Sequence, residues 1–112
     1  MKVALKYIVE KGLRYPALVF ACPGCASMDG NDGLHILPIN TTQKQPSWDW
    51  NNDLDLPTIS PSILTRNGRG GICHSFLKDG VFEFLSDSTH SFAGQNVPIG
   101  HLPSYMIRSI RE

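Results

Sequence analysis

Cys22-Pro23-Gly24-Cys25 places two thiols two residues apart on a Pro-Gly turn, the half-site with which small proteins grip zinc. Further ligands must come from elsewhere in the chain, and Cys73, the one other cysteine, is the first candidate. His90 is the second. A Cys-x2-Cys pair joined by a cysteine and a histidine is a common closed tetrahedral set, so the expected Zn2+ ligands are Cys22, Cys25, Cys73 and His90. Soft thiolates also suit zinc better than an oxygen-activating metal.

Turn chemistry supports pairing Cys73 with His90. Asp79-Gly80 favours a two-residue type I′ hairpin loop. With that loop, Lys78 pairs with Val81, Phe76 with Glu83 and His74 with Leu85 on one face. On the other, Leu77 pairs with Phe82, Ser75 with Phe84 and Cys73 with Ser86. Cys73 then lies opposite a residue only a short turn, Asp87-Ser88-Thr89, before His90. His74 points to the opposite face, although a one-residue slip would exchange it for Cys73, which makes His74 the substitute ligand. Asp87 is expected to accept the second ring N–H of His90.

Competing readings of the same residues are specific. A thioredoxin-like redox pair needs a helix opening at the Cys22/Cys25 motif, and Ala26 to Gly30 reads as a loop. Cys73 on its own suits a buried small hydrophobe. His35 and His101 have no ligand-spaced neighbours and read as ordinary surface or core histidines. A catalytic zinc would need an open position and a nearby base, for which Glu83 or Asp87 are the candidates. That gives a zinc-dependent hydrolase as the alternative to a closed, structural site.

The elements that must position these residues read mostly as strands. Val3, Leu5, Tyr7 and Val9 share one face at period two, and Ala17 to Ala21 is an apolar run leading into the knuckle. Leu34 to Leu37, Thr58 to Thr65, Ile72 to Leu77 and Val81 to Leu85 follow. Pro57 and Pro61 restrict the residues before them and suggest an edge strand or a polyproline-like stretch. The polar stretch from Ile39 to Leu56 contains Trp48 and Trp50, either core plugs or a partner surface; its length points to a functional loop or an unrecognised strand. Pro103-Ser104 opens a short C-terminal helix. The expected fold is a mostly β, small α+β domain spanning residues 1–112, with a zinc-ribbon-like knuckle on a compact antiparallel sheet.

Composition narrows the setting. Ten Lys+Arg balance ten Asp+Glu, and neither Arg66-Asn67-Gly68-Arg69 nor Arg108 and Arg111 form a dense basic run, which disfavours nucleic-acid binding. The N-terminal residues lack the apolar core of a signal peptide, and no apolar run approaches the roughly 18 residues of a membrane span. An odd number of cysteines argues against a disulfide scaffold, so a reducing, cytoplasmic compartment is expected.

Phe20 to Cys25, Trp48 to Asn51, Pro57 to Leu64, Cys73 to Phe76 and Asp87 to Gln95, in this order, resemble a family of small tailed-phage and prophage proteins of unknown function, sometimes labelled ammonia monooxygenase. The resemblance covers roughly residues 17 to 100. Nothing in the chain is similar to a membrane-bound copper oxygenase. The resemblance implies a phage or prophage origin within a bacterial host and a shared metal-holding motif set. The expected function is that of a small zinc-binding accessory protein whose partner is a host protein, including host-defence machinery. A zinc hydrolase and a nucleic-acid-binding zinc ribbon are the alternatives.

Overall fold

Period-two patterning and tight turns divide residues 1–102, those described in the computed structural model, into eight strands and one short helix. Strands β1 (Ala4–Glu10), β2 (Leu13–Ala21) and β3 (Leu34–Pro38) form an antiparallel sheet in that order. A second antiparallel sheet runs β4 (Asp49–Trp50), β5 (Ile59–Arg66), β6 (Ile72–Lys78), β7 (Val81–Phe84) and β8 (Asn96–Pro98). The mostly β expectation holds, with two sheets where one was expected. The helix expected from Pro103 lies outside the described residues. Among the described residues no helix is long and apolar enough to cross a membrane.

The core forms where the sheets bring their apolar faces together. Leu18, Phe20, Leu37 and Ile39 from the first side meet Ile59, Ile63, Leu77, Phe82 and Phe84 from the second. Of the period-two face on β1, Val3 is fully buried, whereas Leu5, Tyr7 and Val9 are increasingly exposed toward the Lys11-Gly12 turn. That end of the hairpin runs past the core, and Tyr7 instead packs under the Arg14 guanidinium, 4.2 Å from its ring centroid.

The β6/β7 hairpin has the register expected of it. Ser75 pairs with Phe84, Phe76 with Glu83, Leu77 with Phe82 and Lys78 with Val81. Asp79 and Gly80 both take positive φ, 48° and 75°, as a type I′ turn requires.

One local expectation changes, and the stretch around the tryptophans takes a definite form. The residues after the knuckle form a helix, α1 (Pro23–Asp29), and not a loop: Pro23 suits its first turn, and the N–H of Gly30, in the left-handed conformation, bonds the Ala26 carbonyl. Trp50 is buried in the core, and Trp48 packs against it while donating its indole N–H to the Ser62 carbonyl at 3.2 Å. Trp50 thus plugs the core, whereas Trp48 is only partly buried. The polar stretch before them is tied down by strand β4 and by a parallel bridge between Ile39 and Trp48. In β5 the pairing with β6 slips between Ile59 and Ile63, and Pro61 sits inside this bulge, where its missing N–H interrupts no ladder.

Candidate active site

Two groups of reactive side chains lie back to back across β6. On the inner face Cys22, Cys25 and Cys73 are buried, and all three sulfurs lie within 4.8 Å of one another. The Cys22 and Cys73 sulfurs are 3.7 Å apart, far beyond a disulfide bond. A tetrahedral ion with bonds of about 2.3 Å to sulfur needs an edge of about 3.8 Å, so this spacing fits a metal held by thiolates. Cys22 is the N-cap of α1, without the geometry of a capping bond. Its thiol is lowered to about 4, chiefly by hydrogen bonds from the Cys25 and Cys73 thiols, with help from the backbone N–H groups of Cys25 and Gly24. The Cys73 thiol is pushed up by the Cys22 and Cys25 thiols and by burial. Three buried sulfurs converging this closely, with the thiolate favoured at Cys22, make an arrangement that a cation relieves.

Two imidazoles flank the thiols. His35, on β3 beside Phe20, brings Nε2 to 3.2 Å from the Cys25 sulfur, although its spacing in the sequence pointed to no ligand role. His90 approaches from the other side: its Nδ1 accepts the Phe92 N–H at 3.2 Å, and its buried Nε2 has no hydrogen-bond partner. That nitrogen lies against Gly24, where an added Cβ would sit only 2.5 Å from it, so the knuckle needs glycine there. Burial lowers the proton affinity of His90. Neither histidine has a ring nitrogen within 4.8 Å of all three sulfurs. A cleft of about 330 Å³ lined by His35, Leu34 and Thr65 opens onto Cys25.

The outer face carries a different set. Ser62 Oγ lies 3.0 Å from His74 Nε2, and His74 Nδ1 lies 3.0 Å and 3.2 Å from the two carboxylate oxygens of Asp87. His74 stands on β6 opposite Leu64 of β5, and the bulge ahead of Ile63 delivers Ser62 to the same face. The Asp87 turn is fastened to β6 by its neighbours. Ser88 Oγ accepts the His74 N–H at 3.0 Å and donates to the His74 carbonyl at 3.1 Å, while Thr89 N–H bonds the Ile72 carbonyl at 2.8 Å. The His74 side chain is 23% exposed and that of Asp87 is 55% exposed, so the set is open to solvent and to a large substrate.

Asp87 thus serves His74 and not His90, and His74 is held by Ser62 and Asp87 and is no substitute for Cys73. The expected second-sphere bond from His90 to Asp87 is absent because the turn directs the carboxylate outward, away from the buried His90 ring.

A serine, a histidine and an aspartate in one hydrogen-bonded line form the arrangement that activates a serine hydroxyl. A family model described as the bacterial ubiquitination-like system serine protease (BubE) matches residues 4–85. The chain belongs to this family. No curated protein and no solved structure matches it. The BubE match takes in Ser62, His74 and all three cysteines, and Asp87 follows two residues after its end.

Sequence reasoning missed Ser62 altogether. Ser60-Pro61-Ser62 carries no nucleophile signature such as Gly-x-Ser-x-Gly, and the order Ser-His-Asp along the chain differs from the familiar serine hydrolase orders. One signal was present: a register with His74 opposite Leu85 leaves Asp87 within reach of the His74 ring.

Proposed function

We propose that this chain is a serine peptidase of a bacterial ubiquitination-like system, with Ser62 as nucleophile, His74 as general base and Asp87 as the carboxylate that orients it. The observation that carries this reading is the continuous line from Ser62 Oγ through both nitrogens of His74 to Asp87, at 3.0 Å on each side. Asp87 accepts the Nδ1 proton, which leaves the Nε2 lone pair facing the Ser62 hydroxyl. As Ser62 Oγ bonds the substrate carbonyl carbon, its proton passes to Nε2, and Asp87 stabilises the resulting imidazolium. Collapse breaks the C–N bond and returns that proton to the leaving amine, giving an ester on Ser62. Water then adds with His74 as base, releasing the carboxylic acid and restoring the serine.

The thiol cluster takes a structural role in this reading. Zn2+ fits three thiolates at this spacing, and the fourth donor is His35, whose Nε2 lies 3.2 Å from the Cys25 sulfur, or His90, whose buried Nε2 has no hydrogen-bond partner. The accessory-protein expectation rested on those thiols and on the resemblance to phage and prophage proteins, whereas the peptidase reading uses side chains on the other face. A phage or prophage origin with a host protein as partner stays compatible, since a peptidase takes a protein as its substrate.

The test is cleavage of a ubiquitin-like protein bearing a C-terminal extension. The wild type should release the extension and Ser62→Ala should not, while zinc content is equal in both. Unchanged cleavage by Ser62→Ala would reject the assignment and return attention to a metal-centred hydrolase.

A further inference from the structure

The proposed nucleophile lies on a strand with an open edge. Among the described residues, strand β5 pairs with β6 along Ile63–Arg66 but with β4 only at Ile59 and Ser60. The direction of its backbone groups follows from the partners of β6. The His74 N–H is held by Ser88 Oγ, its carbonyl accepts the Leu85 N–H at 2.8 Å, and the Ile72 carbonyl accepts the Thr89 N–H. Ile72 and His74 therefore point their backbone groups toward β7 and the turn after it.

By alternation Cys73 and Ser75 point theirs toward β5, which makes Cys73 with Thr65 and Ser75 with Ile63 the hydrogen-bonded pairs of that ladder. Leu64, opposite His74, must then turn its N–H and C=O outward, away from β6, and so must Ser62 and Arg66. Ser62 provides a check, since its carbonyl is taken from that outer side by the indole of Trp48, just before β4. The Leu64 side chain is 47% exposed on the face that carries Ser62 and His74.

We infer that this edge receives the polypeptide substrate as an added strand, with the outward N–H and C=O of Leu64 pairing with the substrate backbone and the scissile carbonyl lying over Ser62 Oγ. The inference rests on the serine-peptidase reading above and names how the substrate is held. Strand addition recognises backbone rather than charge, and it suits an extended tail with an apolar residue to lie across Leu64 and no proline at the paired position. With the Ser62 carbonyl taken by Trp48, the open edge runs from Ile63 to Arg66, too short to unite two folded copies stably but matched to a peptide of a few residues.

Leu64→Pro tests this, because it removes an N–H that serves no bond to β6. The probes are a small fluorophosphonate, which reports Ser62 reactivity, and a ubiquitin-like protein with a C-terminal extension, which reports polypeptide turnover. The expected result is unchanged labelling with cleavage slowed by about ten-fold, as the loss of one backbone hydrogen bond implies. Cleavage at the wild-type rate would overturn the edge as the substrate site. Failure of the wild type to label would overturn the peptidase reading and this inference with it. Should Leu64→Pro fail to label, backbone N-methylation of the extension residue by residue on wild-type enzyme decides instead. Losses at alternate positions are expected, and uniform tolerance contradicts strand addition.

Discussion

Cys73 and His74 are adjacent in the chain and belong to opposite faces of one strand. Cys73 faces inward to two other buried sulfurs, and His74 faces outward to a serine and a half-exposed carboxylate. The inner set is buried and suited to holding a cation that ties α1 to β6. The outer set is open and suited to moving protons at the surface of a polypeptide. The alternation of a β-strand separates the two chemistries by a single residue step, so neither set competes for the other's ligands. It also makes the strand common to both, and a disturbance of the inner face should reach the outer one.

Ser62→Ala separates the faces most sharply. Peptidase activity should fall by roughly 10⁴- to 10⁶-fold while metal content and Tm stay unchanged, measured by turnover, native mass spectrometry and calorimetry. His74→Ala should do the same, and a loss of metal in that variant would contradict the division between faces.

A smaller loss is expected of Asp87→Asn, about 10²- to 10⁴-fold in kcat, because the amide favours the wrong tautomer of His74 and the carboxylate is partly solvated. Equal turnover in Asp87→Asn would remove Asp87 from the catalytic line.

Cys73→Ser probes the link from the inner face to the outer. Metal should be lost and Tm should fall by roughly 10 °C or more, with activity following the folded fraction. Chelator should likewise inactivate the wild type slowly, along with unfolding and not at once. Immediate and reversible inactivation without unfolding would place the metal in the chemistry itself.

The mildest change is Trp48→Phe, which removes the indole bond to the Ser62 carbonyl. A cost of about 1 kcal/mol in stability and a few-fold drop in kcat/KM are expected, read from melts and steady-state rates.

The inner site was largely legible in the sequence because its ligands are marked by local chemistry. Cysteines are few, Pro-Gly marks the knuckle, and Asp79-Gly80 sets the register that carries Cys73 to the right face. The outer site was not legible, for two physical reasons. Ser62 meets His74 through a bulge between Ile59 and Ile63, which breaks the alternation that pattern reading depends on. Asp87 had two histidines within reach, and only the fastening of the turn by Ser88 and Thr89 selects His74. His35 was missed for a related reason, since its approach to Cys25 arises from packing β3 beside β2, a contact with no local spacing to announce it. Strand β8 escaped notice, and β4 was foreseen only as an unplaced strand between Ile39 and Leu56, because three and two residues are too short to show a period.

The most direct test of the central claim is to incubate the metal-loaded protein with a small fluorophosphonate and map any adduct by intact and peptide mass spectrometry. The account predicts a single adduct on Ser62, absent in His74→Ala and retained when the protein is first treated with chelator for less time than it takes to unfold. No adduct, or one on a serine away from His74, would contradict it.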